Sequence, residues 1–300
     1  MINRSGLGIA CALGAACLYG LVPNFARGAL VNGVPTIETI FFRTSLIGVA
    51  FLIAAVVRGE SLAVPRGAMA SFAGQATATL IVSVGYLSSV QFIPVGLAAI
   101  IFFTFPVLIV ISAPLVEGHA PGLVRTGITI LAFAGLAVAI GPSFESLDVR
   151  GLALAAAAAA LCVLQFYSGR AISVHMTPTA FGGLVHLAIW PFILAISLWV
   201  GGGAIRIFPG GSASGAGLLF MAGVGALYVG GYLGQMLSLR FAPASTVAPF
   251  FNLEPVVATA TAALLLGERL ALNQYAGGVL VLAALIASSF VGRVVARTDT

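Results

Sequence analysis

Lysine is absent from this sequence, and charge of either sign is scarce. Among 300 residues there are 13 basic side chains, all arginine, and 8 acidic ones, so charged residues make up only 7%. Soluble domains carry about a quarter charged residues, and a soluble chain of this size could not cover its surface with so few. The missing lysine excludes a nucleotide phosphate loop, in which a lysine reaches the phosphates, so ATP is not the expected energy source. Cysteine is limited to Cys11, Cys17 and Cys162, all inside apolar runs. That odd count has no metal spacing and implies neither a disulfide framework nor a zinc site; we read all three as small packing residues. His119, His175 and His186 fall on different segments. They give no paired nucleophile and base and no metal cluster, so neither enzyme chemistry nor a cofactor is expected.

What the sequence does contain is apolar length. Hydrophobic residues make up 60% of the chain and the mean hydropathy is +1.15. A bilayer core about 30 Å thick is spanned by roughly 20 helical residues. Outer-membrane barrels need strands of about ten residues with alternating hydrophobicity, whereas the runs here are unbroken. The expected fold is an all-α polytopic membrane protein. The net charge of +5 comes from arginines scattered singly at the ends of runs, which suits orientation in a lipid bilayer and not a nucleic-acid partner.

Gly, Pro and Arg punctuation separates ten apolar segments, near 6–26, 35–57, 67–90, 94–116, 122–141, 150–170, 179–200, 215–239, 243–266 and 271–291. Arg4 and the run ending at Cys17 superficially resemble a lipoprotein signal. Gly14, however, stands where a larger aliphatic residue is expected, and the segment has a partner in the second half; we expect a mature helix. An even number of spans puts both termini on one face. With that face cytoplasmic, Arg4, Arg58, Arg66, Arg125, Arg170, Arg240, Arg293 and Arg297 lie inside, against Arg27, Arg150, Arg206 and Arg269 outside. That bias follows the positive-inside rule and fits a bacterial inner (plasma) membrane. Only Arg43 sits well inside a segment.

The chain repeats itself. An offset of 143 residues carries Gly8 to Gly151, Arg27 to Arg170 and Pro35 to Pro178. An offset of 149 carries Ser89 to Ser238, Phe92 to Phe241, Pro94 to Pro243, Pro106 to Pro255 and Gly118 to Gly267. We expect two halves, 1–146 and 147–300, each of five helices. Since five is odd, the copies enter the membrane from opposite sides, as in alternating-access carriers whose solute site lies at the midplane between inverted repeats.

Asn252, Leu253, Glu254 and Pro255, followed by the run from Leu264 to Leu266 and then Gly267, Glu268, Arg269 and Leu270, resemble the end of EamA-type proteins of the drug/metabolite transporter superfamily. The first and sixth segments, each ending in arginine before a short loop, are similar to that family too. The resemblance implies a ten-helix carrier that exports amino acids or related small metabolites, within the amino-acid-exporter branch. The first half departs from the pattern, with Phe105 and Pro106, then Gly118 and His119, so any acidic site is single-sided.

Polar groups at membrane depth normally face a cavity or a partner. Gln75, Thr79, Ser83 and Tyr86 line one helix face, as do Tyr228, Tyr232 and Gln235. The 149-residue offset maps Thr79, Ser83 and Tyr86 onto those three. They form either two walls of one cavity or hydrogen bonds between helices. Arg43, which maps onto His186, lies about eight residues, or about 12 Å, below its membrane face. It either holds a substrate carboxylate with its planar fork or snorkels, or pairs with Glu254 or backbone carbonyls. His186 is either a packing residue or a proton carrier, with Trp190 one turn beyond. Glu254, after Asn252, either receives an amine or proton or braces the break at Pro255, where a freed carbonyl is expected beside the carboxylate. Glu38 is expected at the membrane interface.

Tyr19, Phe103, Gln165 and Phe166 complete the expected lining, with Pro94, Pro106, Pro243 and Pro255 as hinges or kinks. The reading is a secondary carrier of a small-molecule substrate; a monomer suits it. A broad cationic-drug efflux carrier is the nearest alternative, and a channel or membrane receptor the alternative of a different class.

Overall fold

The computed structural model describes residues 4–89, 91–141, 147–203, 205, 213–266 and 271–298; side chains at 87, 95, 96, 265, 266 and 289–298 are outside that description. Among the described residues twelve α-helices follow in chain order: α1 (Arg4–Val31), α2 (Thr36–Val57), α3 (Met69–Ser89), α4 (Val95–Phe102), α5 (Phe105–Val116), α6 (Leu123–Ile140), α7 (Val149–Ser173), α8 (Pro178–Val200), α9 (Gly215–Phe241), α10 (Ala244–Val247), α11 (Leu253–Leu266) and α12 (Leu272–Thr298). No strand occurs among the described residues. Nine spans there are long and apolar enough to cross a membrane, and Leu272–Ser288 is a shorter apolar helix. The Gly267, Glu268 and Arg269 motif, Arg206 and the boundary at 146 lie outside the described residues.

Helix starts follow local chemistry. The Thr177 hydroxyl accepts from the Ala180 amide at 3.3 Å, with Pro178 at the first position of α8. Ser214 caps α9 at the Gly217 amide, 3.1 Å away, and the Asp148 carboxylate caps α7 at the Arg150 amide, 2.8 Å away. These residues satisfy amides that a helix leaves unpaired at its start.

Two expected spans are not continuous helices. The fourth breaks at Phe103 and Thr104, between α4 and α5. The ninth runs as α10, a 3-10 turn over Ala248–Asn252, and α11. A proline in a helix interior clashes with the carbonyl four residues back. The breaks place Pro106 and Pro255 in the first turn of α5 and of α11, where the missing N–H is not needed. This corrects the expectation of a mid-helix proline beside Glu254: the carboxylate stands in the first turn of a new helix. Pro94 and Pro243 likewise stand directly before α4 and α10, and neither kinks a helix interior.

Small residues set the packing. A Cβ on Gly8 would lie 2.8 Å from the Ala242 Cβ, and one on Gly217 2.6 Å from the Asn32 carbonyl, so α1 and α9 run antiparallel at close range. Gly151 meets Ile93 and Gly74 meets Leu164, pairing α7 with α3 in the same sense. Gly182 against Phe51 and Gly48 against His186 join α8 to α2, and Gly277 against the Ala139 amide and Gly135 carbonyl joins α12 to α6. Close backbone approach of this kind is how helices associate without a hydrophobic driving force.

Candidate functional site

A cavity of about 490 Å³ lies between these pairs. Tyr19, Arg43, Ser83, Tyr86 and Gln165 line it from α1, α2, α3 and α7. Tyr228, Tyr232 and Gln235 line it from α9, and Glu254 from α11. Its exposed lining, Arg27 and Leu30, stands near the end of α1, with Thr36 at the start of α2, which puts the mouth there.

Arg43 and Glu254 are, besides Arg27, the side chains of this lining that can carry a full charge at neutral pH. The Arg43 guanidinium carbon lies 4.3 Å from the centroid of the Tyr228 ring, a cation–π contact. Its Nε is buried without a hydrogen-bond partner. No ion pair joins Arg43 to Glu254 among the described residues. The Glu254 carboxylate, in the first turn of α11, has the positive end of the helix dipole beside it. Tyr228 is held from behind by His186. With Nδ1 donating to the Gly182 carbonyl at 2.8 Å, Nε2 is left to accept from the Tyr228 hydroxyl at 3.4 Å. Tyr19 donates to Gln235 Oε1 at 3.0 Å. The rings of Phe102, Phe105, Phe166 and Phe251, also on the wall, form an aromatic floor; Phe105 and Phe166 are 5.3 Å apart, Phe166 and Phe251 5.1 Å.

Six other candidates lie behind this surface. Thr79 accepts from Gln165 Nε2 at 3.0 Å below the floor. Gln75 seals the same region, accepting from the Ser168 hydroxyl at 2.9 Å and donating to Tyr232 at 3.4 Å. His186 is fully buried. Trp190 donates to the Ser45 hydroxyl at 2.9 Å and packs on Phe41. The Asn252 amide donates to the Pro249 carbonyl at 3.0 Å and closes the 3-10 turn. Phe103 packs beside Phe102 and Phe105, away from the lining. Glu38, in the first turn of α2, is buried at 1% exposure.

Sequence reasoning missed Phe102, Phe105, Phe251, Cys162 and Arg27. The break after α4 changes the helix phase, turning Phe102 and Phe105 inward and Phe103 aside. A signal was available in the repeat offsets. The wall pairs Tyr19 with Cys162, Pro23 with Phe166, Ser83 with Tyr232, Tyr86 with Gln235, Phe102 with Phe251 and Phe105 with Glu254.

The model of the EamA-like transporter family matches residues 6–141 and 149–290. The chain belongs to the EamA-like transporter family. It is accordingly a multi-pass membrane transporter of the drug/metabolite superfamily, built of two such repeats. No curated protein matches it. One solved crystal structure, 15% identical, superposes with a TM-score of 0.82 over 96% of this chain and 98% of its own. At that identity the likeness establishes the fold.

Proposed function

We propose that this family member is a secondary carrier with ten spans in two inverted five-helix repeats, exporting amino acids or related small organic solutes across a bacterial inner membrane. Both termini are cytoplasmic in this reading, and no ATP is used. The observation that carries it is the occupancy of one cavity by Arg43 and Glu254, a guanidinium and a carboxylate with no ion pair between them. Ionisable side chains at membrane depth are costly and mark solute pathways, and a solute bearing both a carboxylate and an ammonium group engages both at once. Antiparallel pairing of α1 with α9, of α7 with α3 and of α2 with α8 supports the inverted arrangement, because exchanging the halves returns the same set of pairs.

Purified protein in liposomes, screened for uptake of amino acids and quaternary cations with and without a pH gradient, tests this. Saturable amino-acid uptake supports the proposal, and a gradient dependence assigns proton coupling. The aromatic floor and Glu254 favour a second reading, efflux of bulky organic cations; uptake of quaternary cations with no amino-acid uptake selects it.

A further inference from the structure

The cavity's deep wall is made of repeat counterparts, and its mouth is not. Arg27 and Leu30 line the open end, and Arg43 the wall behind them. Their counterparts at the 143-residue offset, Arg170, Ser173 and His186, are packed away from it; Ser173 is 1% and His186 0% exposed. At this closed end, Arg170 Nη1 donates to the carbonyls of Leu239 at 2.6 Å and Arg240 at 2.8 Å. These belong to the last turn of α9, where carbonyls lack intrahelical partners and the helix dipole is negative. The contact clamps α7 to the end of α9. The corresponding helices, α1 and α3, both line the cavity instead.

We infer that Arg170 latches the closed end, and that a second conformation exists in which Arg170, Ser173 and His186 line a mouth on the other face. In that state Arg27 closes against the end of α3, at the Gln91 carbonyl that corresponds to Arg240. The inference rests on the carrier reading above. It gives the two faces different chemistry: a solute meets the permanent cation of Arg43 from one side and the imidazole of His186 from the other.

Single-cysteine accessibility tests it. In a chain with Cys11, Cys17 and Cys162 replaced by alanine, Leu30→Cys and Ser173→Cys are labelled with a membrane-impermeant maleimide in sealed vesicles of each orientation. Leu30→Cys is expected to label from one face and Ser173→Cys, more slowly, from the other. Adding Arg170→Ala raises the Ser173→Cys rate at least fivefold and slows Leu30→Cys; Arg27→Ala does the reverse. Arg170→Lys, a point charge without the planar fork, gives a smaller shift and serves if the alanine variant fails to fold. Rates indifferent to both Arg170 variants overturn the latch. Ser173→Cys that never labels, in protein that still performs counterflow, overturns the second mouth and leaves the carrier standing. Both cysteines labelling from the same face removes the inverted-repeat reading itself.

Discussion

Arg43 lies across the ring of Tyr228, its guanidinium carbon 4.3 Å from the ring centre, with its Nε buried and unpaired. The ring holds the cation in place on the cavity wall. With Nε buried, a substrate carboxylate can take the two outer nitrogens of the fork in parallel. Arg43→Ala is therefore expected to weaken apparent affinity for carboxylate substrates about tenfold to a hundredfold, the range for hydrogen bonds to charged groups. Arg43→Lys recovers only part of it, because a lysine presents one point charge. Transport titrations in liposomes measure both, and equal affinities in all three proteins contradict the assignment.

Glu254 is expected to act on the other end of the same solute. Glu254→Gln keeps the side-chain shape and removes the charge, so it should weaken amino-acid uptake while leaving uptake of the corresponding N-acetylated compounds little changed. Competition between the two compound classes in one vesicle preparation reads the difference.

Packing between α6 and α12 depends on Gly277, where a Cβ would strike the backbone at Ala139 and Gly135. Backbone cannot step aside as a flexible side chain can. Gly277→Ala should cost about 1–3 kcal/mol through overpacking. Gly14, with nothing near its added Cβ, provides the contrast: Gly14→Ala should stabilise by about 0.5–1 kcal/mol through helix propensity. Thermal unfolding in detergent ranks the two variants.

The joint between α5 and α10 rests on Glu117, whose carboxylate accepts from the Ser245 amide at 3.1 Å and from the Ser245 hydroxyl. Glu117→Ala leaves a buried amide unpaired, a loss of about 1–3 kcal/mol. Glu117→Gln, which keeps one acceptor oxygen, should fall between it and wild type in the same unfolding assay.

Asp148 sets a small pH dependence. The Arg150 side chain and amide that donate to it hold its carboxyl below the usual carboxylate range. A depressed value in the folded state means the contribution is present above the unfolded value and disappears as pH falls through the folded one. The α7 cap should thus survive mild acid and weaken only in stronger acid. Asp148→Asn, also a good capping residue, should remove that acid dependence while keeping the helix start, as unfolding scans across acidic pH would show.

The helical membrane architecture was legible because its signal is additive: about 20 apolar residues per span, punctuated by Pro, Gly and Arg. The breaks in the fourth and ninth spans were not, since apolar residues continue through Phe103 and from Val247 to Phe251. Proline position was the available clue, as Pro106 and Pro255 each need the first turn of a helix. For the site, the helix-face spacing puts Thr79, Ser83 and Tyr86 in one stripe. Where the cavity ends along that stripe depends on which end of the bundle is closed, and spacing carries no such information. Ser83 and Tyr86 therefore line the cavity while Thr79 lies beneath it. Arg27 was read only as an orientation charge because its neighbours resemble a loop, although α1 extends to Val31.

Solute counterflow tests the account most directly. Liposomes holding purified protein are preloaded with an unlabelled amino acid and diluted into a trace of the labelled one. The account predicts transient accumulation of label above equilibrium, saturable in both solutes and reduced by Arg43→Ala. Flux that rises linearly with concentration and never overshoots would contradict a carrier and leave a channel.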